Sequence, residues 1–292
     1  MRIGCLGEVM LELVPGAGDD AMLGVAGDTY NTAVYMAHEL GAGTVDYITV
    51  LGEDGFSQRI MDRMESYQIG TGRILRHPTR IPGLYAIETD EAGERHFTYW
   101  RSAAAARELY TADFAPDFSG LTHLFYSGIS LAILSPASRD RLFEALEAFR
   151  AGGGIVAFDS NYRPKLWARA DAARDAMARA WASADVALPS IDDEAALFGD
   201  ASEAATLARF RSYGVQDGAL KRGSQGPVGL DGSGVTLENA PRAKAVDSTA
   251  AGDSFNAAYL AARFSGAAQI DALSAGHNLA ARVVGERGAI II

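Results

Sequence analysis

From His123 onward the chain alternates short, wholly apolar runs with amphipathic stretches of helical period, and few architectures accept that pattern. Residues 124–127, 155–159 and 186–189 read as strands, while residues 136–150, 171–182 and a segment from Asp193 read as helices. Strands apolar on both faces and separated by helices form a parallel sheet covered on each side. The N-terminal part fits the same scheme. Residues 2–9 and 45–51 read as strands, residues 56–67 as a helix, and residues 28–40 as a helix with Asp28 near its N-cap and Gly41 past its end. The expectation is one α/β domain over residues 1–292, with ligands beyond the carboxyl ends of the strands.

One stretch breaks the rhythm. Residues 83–88 and 95–101 alternate with period two around Asp90-Glu91-Ala92-Gly93, the pattern of an antiparallel hairpin. Together with residues 11–25 it suggests a small sheet projecting from the body, with bounds near 11–27 and 82–101. An ordinary edge hairpin is the simplest account, but the polar-aromatic set Tyr99, Trp100 and Arg101 favours a lid.

Composition narrows the partners. The net charge of −11 argues against nucleic acid or an anionic membrane surface. One cysteine, Cys5, permits no internal disulfide, and no run resembles a secretory leader or a membrane span, so a cytoplasmic setting is expected. The histidines have no metal-ligand spacing, and no Walker loop, dinucleotide fingerprint or nucleophile elbow occurs.

The chemistry concentrates near the C-terminus. Asp247-Ser248-Thr249-Ala250-Ala251-Gly252-Asp253 opens onto a helix expected over residues 251–264. Unpaired amides at a helix start form an anion site, so a carboxylate there is out of place unless it has a task. A general base beside a phosphoryl group has one. An isolated Gly-Asp reads first as a helix cap; the rest of the chain shifts that reading. Gly27-Asp28-Thr29-Tyr30-Asn31 carries groups that grip hydroxyls, or else caps its own helix. Asn161-Tyr162-Arg163-Pro164 follows a strand end, where Arg163 can meet an anion or lie in a solvated loop. Lys221, one of three lysines, starts a turn with Gly223 and Gly226 that suits a nucleotide or a plain hairpin. The acids after Ser190 can hold hydrated Mg²⁺ or populate a helix's first turn.

Taken in order, these segments resemble the ribokinase-like (PfkB) carbohydrate kinases. The terminal motif of that family is matched by residues 247–253, and the Asp159-Ser160-Asn161-Tyr162-Arg163 and Lys221–Gly226 segments match further patterns. The resemblance covers essentially the whole chain. It is greatest to members acting on 2-keto-3-deoxygluconate, through residues 27–31, Pro82-Gly83-Leu84-Tyr85, Tyr99-Trp100-Arg101, residues 127–132 and residues 161–164. A keto-acid carboxylate also gives two arginines, Arg101 and Arg163, a reason to be there.

The resemblance implies a three-layer α/β/α sandwich with a small β lid and an ATP-dependent kinase. Asp253 would be the base, with amides of Ala250, Ala251 and Gly252 as anion hole. Gly27, Asp28, Asn31, Tyr85, Tyr99, Arg101 and Arg163 would line the acceptor site. Ser190, Lys221, Gly223, Gly226 and Asn278 would contact ATP, and Glu194 would serve Mg²⁺ through water. Two positions depart from the family pattern: Ala250 replaces a glycine, and the metal-side spacing fits either Asp193 or Glu194. Some members bind a monovalent cation near the loop holding Asp247, and that stays open here. A fructokinase-like or other sugar kinase and a catalytically silent sugar-acid sensor are the competing readings. The lid edge suggests a homo-oligomer.

Overall fold

The structure, a computed structural model, describes residues 1–16, 18–89, 95–237, 240 and 243–292. The proposed hairpin turn at residues 90–93 lies outside the described residues. In chain order the elements are β1 (Ile3–Leu6), β2 (Met10–Pro15), β3 (Ala21–Ala26), α1 (Asp28–Leu40), β4 (Val45–Ile48), β5 (Val50–Gly52), α2 (Gly55–Ser66), β6 (Leu75–His77), β7 (Gly83–Thr89) and β8 (Arg95–Trp100). They continue with β9 (His123–Ser127), α3 (Gly128–Ala132), α4 (Pro136–Ala151), β10 (Ile155–Asp159), α5 (Ala170–Ser183), β11 (Val186–Leu188), α6 (Ile191–Phe198), α7 (Glu203–Ser212), β12 (Ala219–Leu220), β13 (Val228–Gly229), α8 (Ala251–Phe264) and α9 (Gln269–Val284).

The central sheet runs β11-β10-β9-β1-β4, and each of its pairings is parallel. Successive side chains of a strand point to opposite faces, and both faces are filled. Leu6, Leu124, Tyr126, Val156 and Phe158 pack with Leu142, Leu146, Met177 and Trp181 from α4 and α5. Ile3, Cys5, Tyr47, Phe125 and Ala157 pack on the other side with Tyr30, Ala33, Tyr259 and Leu273 from α1, α8 and α9. The sandwich is therefore three layers deep, and truncating a ring such as Phe125 would cost about 3–5 kcal/mol.

Two predicted strands are interrupted. Residues 2–9 divide into β1 and β2 because Gly7-Glu8-Val9 carries the chain out of the central sheet. Residues 45–51 divide at Thr49, after which β5 pairs with β6. The last predicted helix of the alternation begins at Ile191, two residues before Asp193.

The lid is a second sheet, ordered β3-β2-β7-β8, with β2 and β7 parallel and the outer pairs antiparallel. Gly27 joins it to α1. A Cβ there would come within 2.5 Å of the Glu8 carbonyl oxygen, so only glycine lets the lid strand re-enter the body at that point.

Candidate active site

The carboxyl ends of β1, β9, β10 and β11 face the N-termini of α1 and α8, the place where a doubly covered parallel sheet leaves its crevice. Asp253 lies in the first turn of α8. Its carboxylate accepts a bond from Asn31 Nδ2 at 2.8 Å. Burial drives its pKa well up, and the charges of Asp28 and Asp159 drive it further; the bonds and charge supplied by Asn31 and Lys221 oppose them. Helix α8 has no side-chain cap, and the amides of Gly252 and Asp253 fall in its first turn, where no intrahelical acceptor exists. Ala250 precedes it at φ 58°, a left-handed conformation that explains why a glycine is usual at this point in the pattern.

Asp28 opens α1 next to the cap position, which Gly27 occupies without a side-chain bond, so Asp28 does not cap its own helix. The Asp28 carboxylate instead accepts from Ser127 Oγ and from Asn161 Nδ2 at 2.8 Å. Asn161 takes φ 28° just past β10, and that bond holds the unusual turn. Neighbouring residues of the same turn spread outward. Asp159 receives the Lys221 ammonium at 2.5 Å, while Ser160 donates to Asp193 at 2.8 Å.

Arg101, at the end of β8, is buried and bonded to Glu8, which follows β1. Burial raises the Glu8 pKa against the pull of that guanidinium. Gly83 makes the approach feasible, since a Cβ there would sit 2.8 Å from Glu8 Oε1 and 3.1 Å from Arg101 Cβ. Arg163 is half exposed; it donates to its own neighbour's carbonyl, Tyr162 O, and lies 3.8 Å from Asp193. Neither arginine is therefore free of a nearby carboxylate. Arg101 lies 5.7 Å from the centre of the Tyr99 ring, and Tyr99 is 50% exposed. Burial raises its phenol pKa, and both arginines oppose that rise. Tyr85 stacks at an angle on Tyr99 and donates its hydroxyl to Glu12 of the lid.

The structure separates the two acids on the metal side. Glu194 is fully buried and its carboxylate is bonded to Arg209 at 2.9 Å, with Asp200 on the same guanidinium. Burial pushes its pKa up to about 8 against that pairing. It faces the interior because α6 turns about 100° per residue, so the acid that meets the crevice is its neighbour Asp193. Asp193 accepts from Ser160 Oγ and from the Tyr162 amide at 3.2 Å, and burial raises its pKa.

Lys221 and Ser190 are paired as a parallel bridge beyond β11 and β12. Gly223 and Gly226 adopt φ 55° and 77°, and Arg222 closes the turn onto the Gly226 carbonyl at 2.8 Å. Asn278 is exposed on α9 and bonded to Ser274.

Residues to which the sequence assigned no role complete the cluster: Glu8 and Asn256, with Ser127 and Asp159 from the quoted motifs. Glu8 and Asp159 were legible as acids at strand ends, and Asn256 as a polar residue one turn beyond Asp253 on an apolar helix face.

The chain matches the pfkB family of carbohydrate kinases over residues 5–292. It is 42% identical to 2-dehydro-3-deoxygluconokinase of Escherichia coli K12, over 99% of this chain and 97% of that one. A fructokinase of Klebsiella pneumoniae is 29% identical over 89% and 83%. The crystal structure of a PfkB protein from Polaromonas sp. JS666 superposes with a TM-score of 0.84 at 25% identity, covering 98% of this chain and 96% of that one.

Proposed function

The chain belongs to the pfkB family of carbohydrate kinases, and on that premise we propose that it transfers the γ-phosphoryl group of ATP to the 6-hydroxyl of 2-keto-3-deoxygluconate. The observation that carries the chemistry is Asp253, a carboxylate of raised pKa at the uncapped start of α8. Such a group can accept a hydroxyl proton while the adjoining amides of Ala250 and Gly252 receive the charge of the phosphoryl oxygens; the Ala251 amide instead donates to Ser248 O at 3.3 Å. Asn31 and Asp28 hold the acceptor face, and Asn31 keeps one buried oxygen without a partner among the described residues.

The choice of acceptor rests on the name of the 42%-identical relative and on the two arginines beside Tyr99. Arg101 keeps donors beyond the one given to Glu8, since a guanidinium carries five and its Nε has no partner among the described residues. A fructokinase-like acceptor would leave that donor set unused.

Ser190, Lys221, Gly223 and Gly226 border the nucleotide side, with Asn278 further along on α9. Asp193 supplies the hard oxygen that Mg²⁺ prefers, held in place by Ser160 and the Tyr162 amide. Bound there, Mg²⁺ would neutralise charge on the ATP phosphates. An ADP-release assay across 2-keto-3-deoxygluconate, its galactonate epimer, fructose and ribose tests the reading. The keto acids should give the highest kcat/KM; a clear preference for a neutral sugar would overturn the acceptor assignment.

A further inference from the structure

Lys221 stands in an electrostatically odd place. Its backbone is pinned beside the end of β11 by bonds from its amide to Pro189 O at 2.8 Å and from Ile191 N to its carbonyl at 3.0 Å. From there its side chain, only 13% exposed, runs to the N-terminus of α8, and a Cβ on Gly252 would lie 3.8 Å from Nζ. A cation at a helix N-terminus is of the wrong sign for the dipole. Two side chains nevertheless hold it there: Asp159 Oδ1 at 2.5 Å and Asn256 Oδ1 at 3.0 Å. An ammonium has only donors, so the Asn256 amide must present its oxygen to it. That orientation leaves Asn256 Nδ2, on a side chain with no exposure, without a partner among the described residues. A buried group accepting that penalty needs a reason.

We propose that Lys221 is a catalytic residue acting on the phosphoryl group in flight, and that Asp159 and Asn256 are positioning residues for its ammonium. The inference deepens the kinase reading and rests on it. In the transfer, the acceptor's oxygen forms a bond to the γ-phosphorus and the bond from that phosphorus to the β-bridging oxygen breaks. ADP leaves with the electron pair, and the acceptor proton passes to Asp253. The third N–H of Lys221, beside Gly252, meets the equatorial oxygens of the moving group. An ammonium beside the start of α8 then makes sense, because the phosphoryl group it serves arrives with ATP and passes that point as it moves to the acceptor.

Steady-state kinetics with ATP and the best acceptor separate this from simple ATP binding. Lys221→Met is expected to lower kcat about 100- to 1000-fold with KM for ATP changed less than about threefold. Asn256→Ala should lower kcat about tenfold, again without raising KM for ATP, and methylammonium should restore part of the activity of Lys221→Ala. A raised KM for ATP with unchanged kcat in Lys221→Met, or wild-type kcat in Asn256→Ala, would overturn the proposal and leave the kinase reading standing. Absence of transfer by the wild-type protein to every acceptor would remove both.

Discussion

Asn31, in the first turn of α1, donates its side-chain amide to the carboxylate of Asp253, in the first turn of α8, at 2.8 Å. Two helix starts thus converge on one acid, and one of them supplies a side-chain bond to its carboxylate. The Asp253 pKa is raised by burial first and by the like charge of Asp28 next, while Asn31 pulls it back. A base must be ionised to accept a proton, so kcat should fall as pH is lowered through that raised value. Asn31→Ala removes a bond that favours the carboxylate and should move the acid limb of the kcat–pH profile to higher pH. Asp28→Asn removes a repelling charge and should move it to lower pH. A limb unmoved by both substitutions would mean that another group titrates.

Ala250 tests the helix start. Its left-handed backbone costs a residue with a Cβ roughly 1–2 kcal/mol relative to glycine, part of which glycine returns as entropy in the unfolded chain. Ala250→Gly should raise the melting temperature by about 1–2 °C, and Ala250→Val should lower it. Thermal melts of the two variants would check the sign.

Glu194 should make stability depend on pH. Its folded pKa, about 8, lies above the ordinary value of a free glutamate, so the folded state binds more protons between the two. Stability from this group is therefore lost as pH rises through that window. Glu194→Gln keeps an acceptor for Arg209 without the buried charge and should flatten the fall between about pH 5 and pH 8. Urea melts across that range measure it; an unchanged slope would contradict the assignment.

The arginines test acceptor choice. Losing a charged hydrogen bond to a carboxylate costs about 1.5–3 kcal/mol, or roughly 10- to 100-fold in kcat/KM. Arg101→Ala and Arg163→Ala should show that loss on 2-keto-3-deoxygluconate and a smaller one on fructose. Equal losses on both would mean that neither arginine reads the carboxylate.

The layered body was legible because its strands are apolar on both faces, but the sheet order β11-β10-β9-β1-β4 was not, since any order of such strands buries the same faces. The lid was legible from period-two alternation ending in Tyr99-Trp100-Arg101. Asp253, Asp28 and Asn31 were legible because short polar residues sat at helix starts. What spacing could not show was direction and long-range pairing. Asp193 and Glu194 are adjacent, and only the packing of α6 against Arg209 decides which faces the crevice. Arg101 meets Glu8 across 93 residues of chain, a contact that no local pattern announces. The breaks at Glu8 and Thr49 arise from a change of sheet, which a continuous apolar run conceals.

The central claim is that Asp253 takes the acceptor's proton. The direct measurement is single-turnover phosphoryl transfer by Asp253→Asn, with acceptor binding followed separately by calorimetry. Loss of the base should slow transfer about 10²- to 10⁴-fold with acceptor affinity nearly unchanged. Transfer at the wild-type rate would contradict the account.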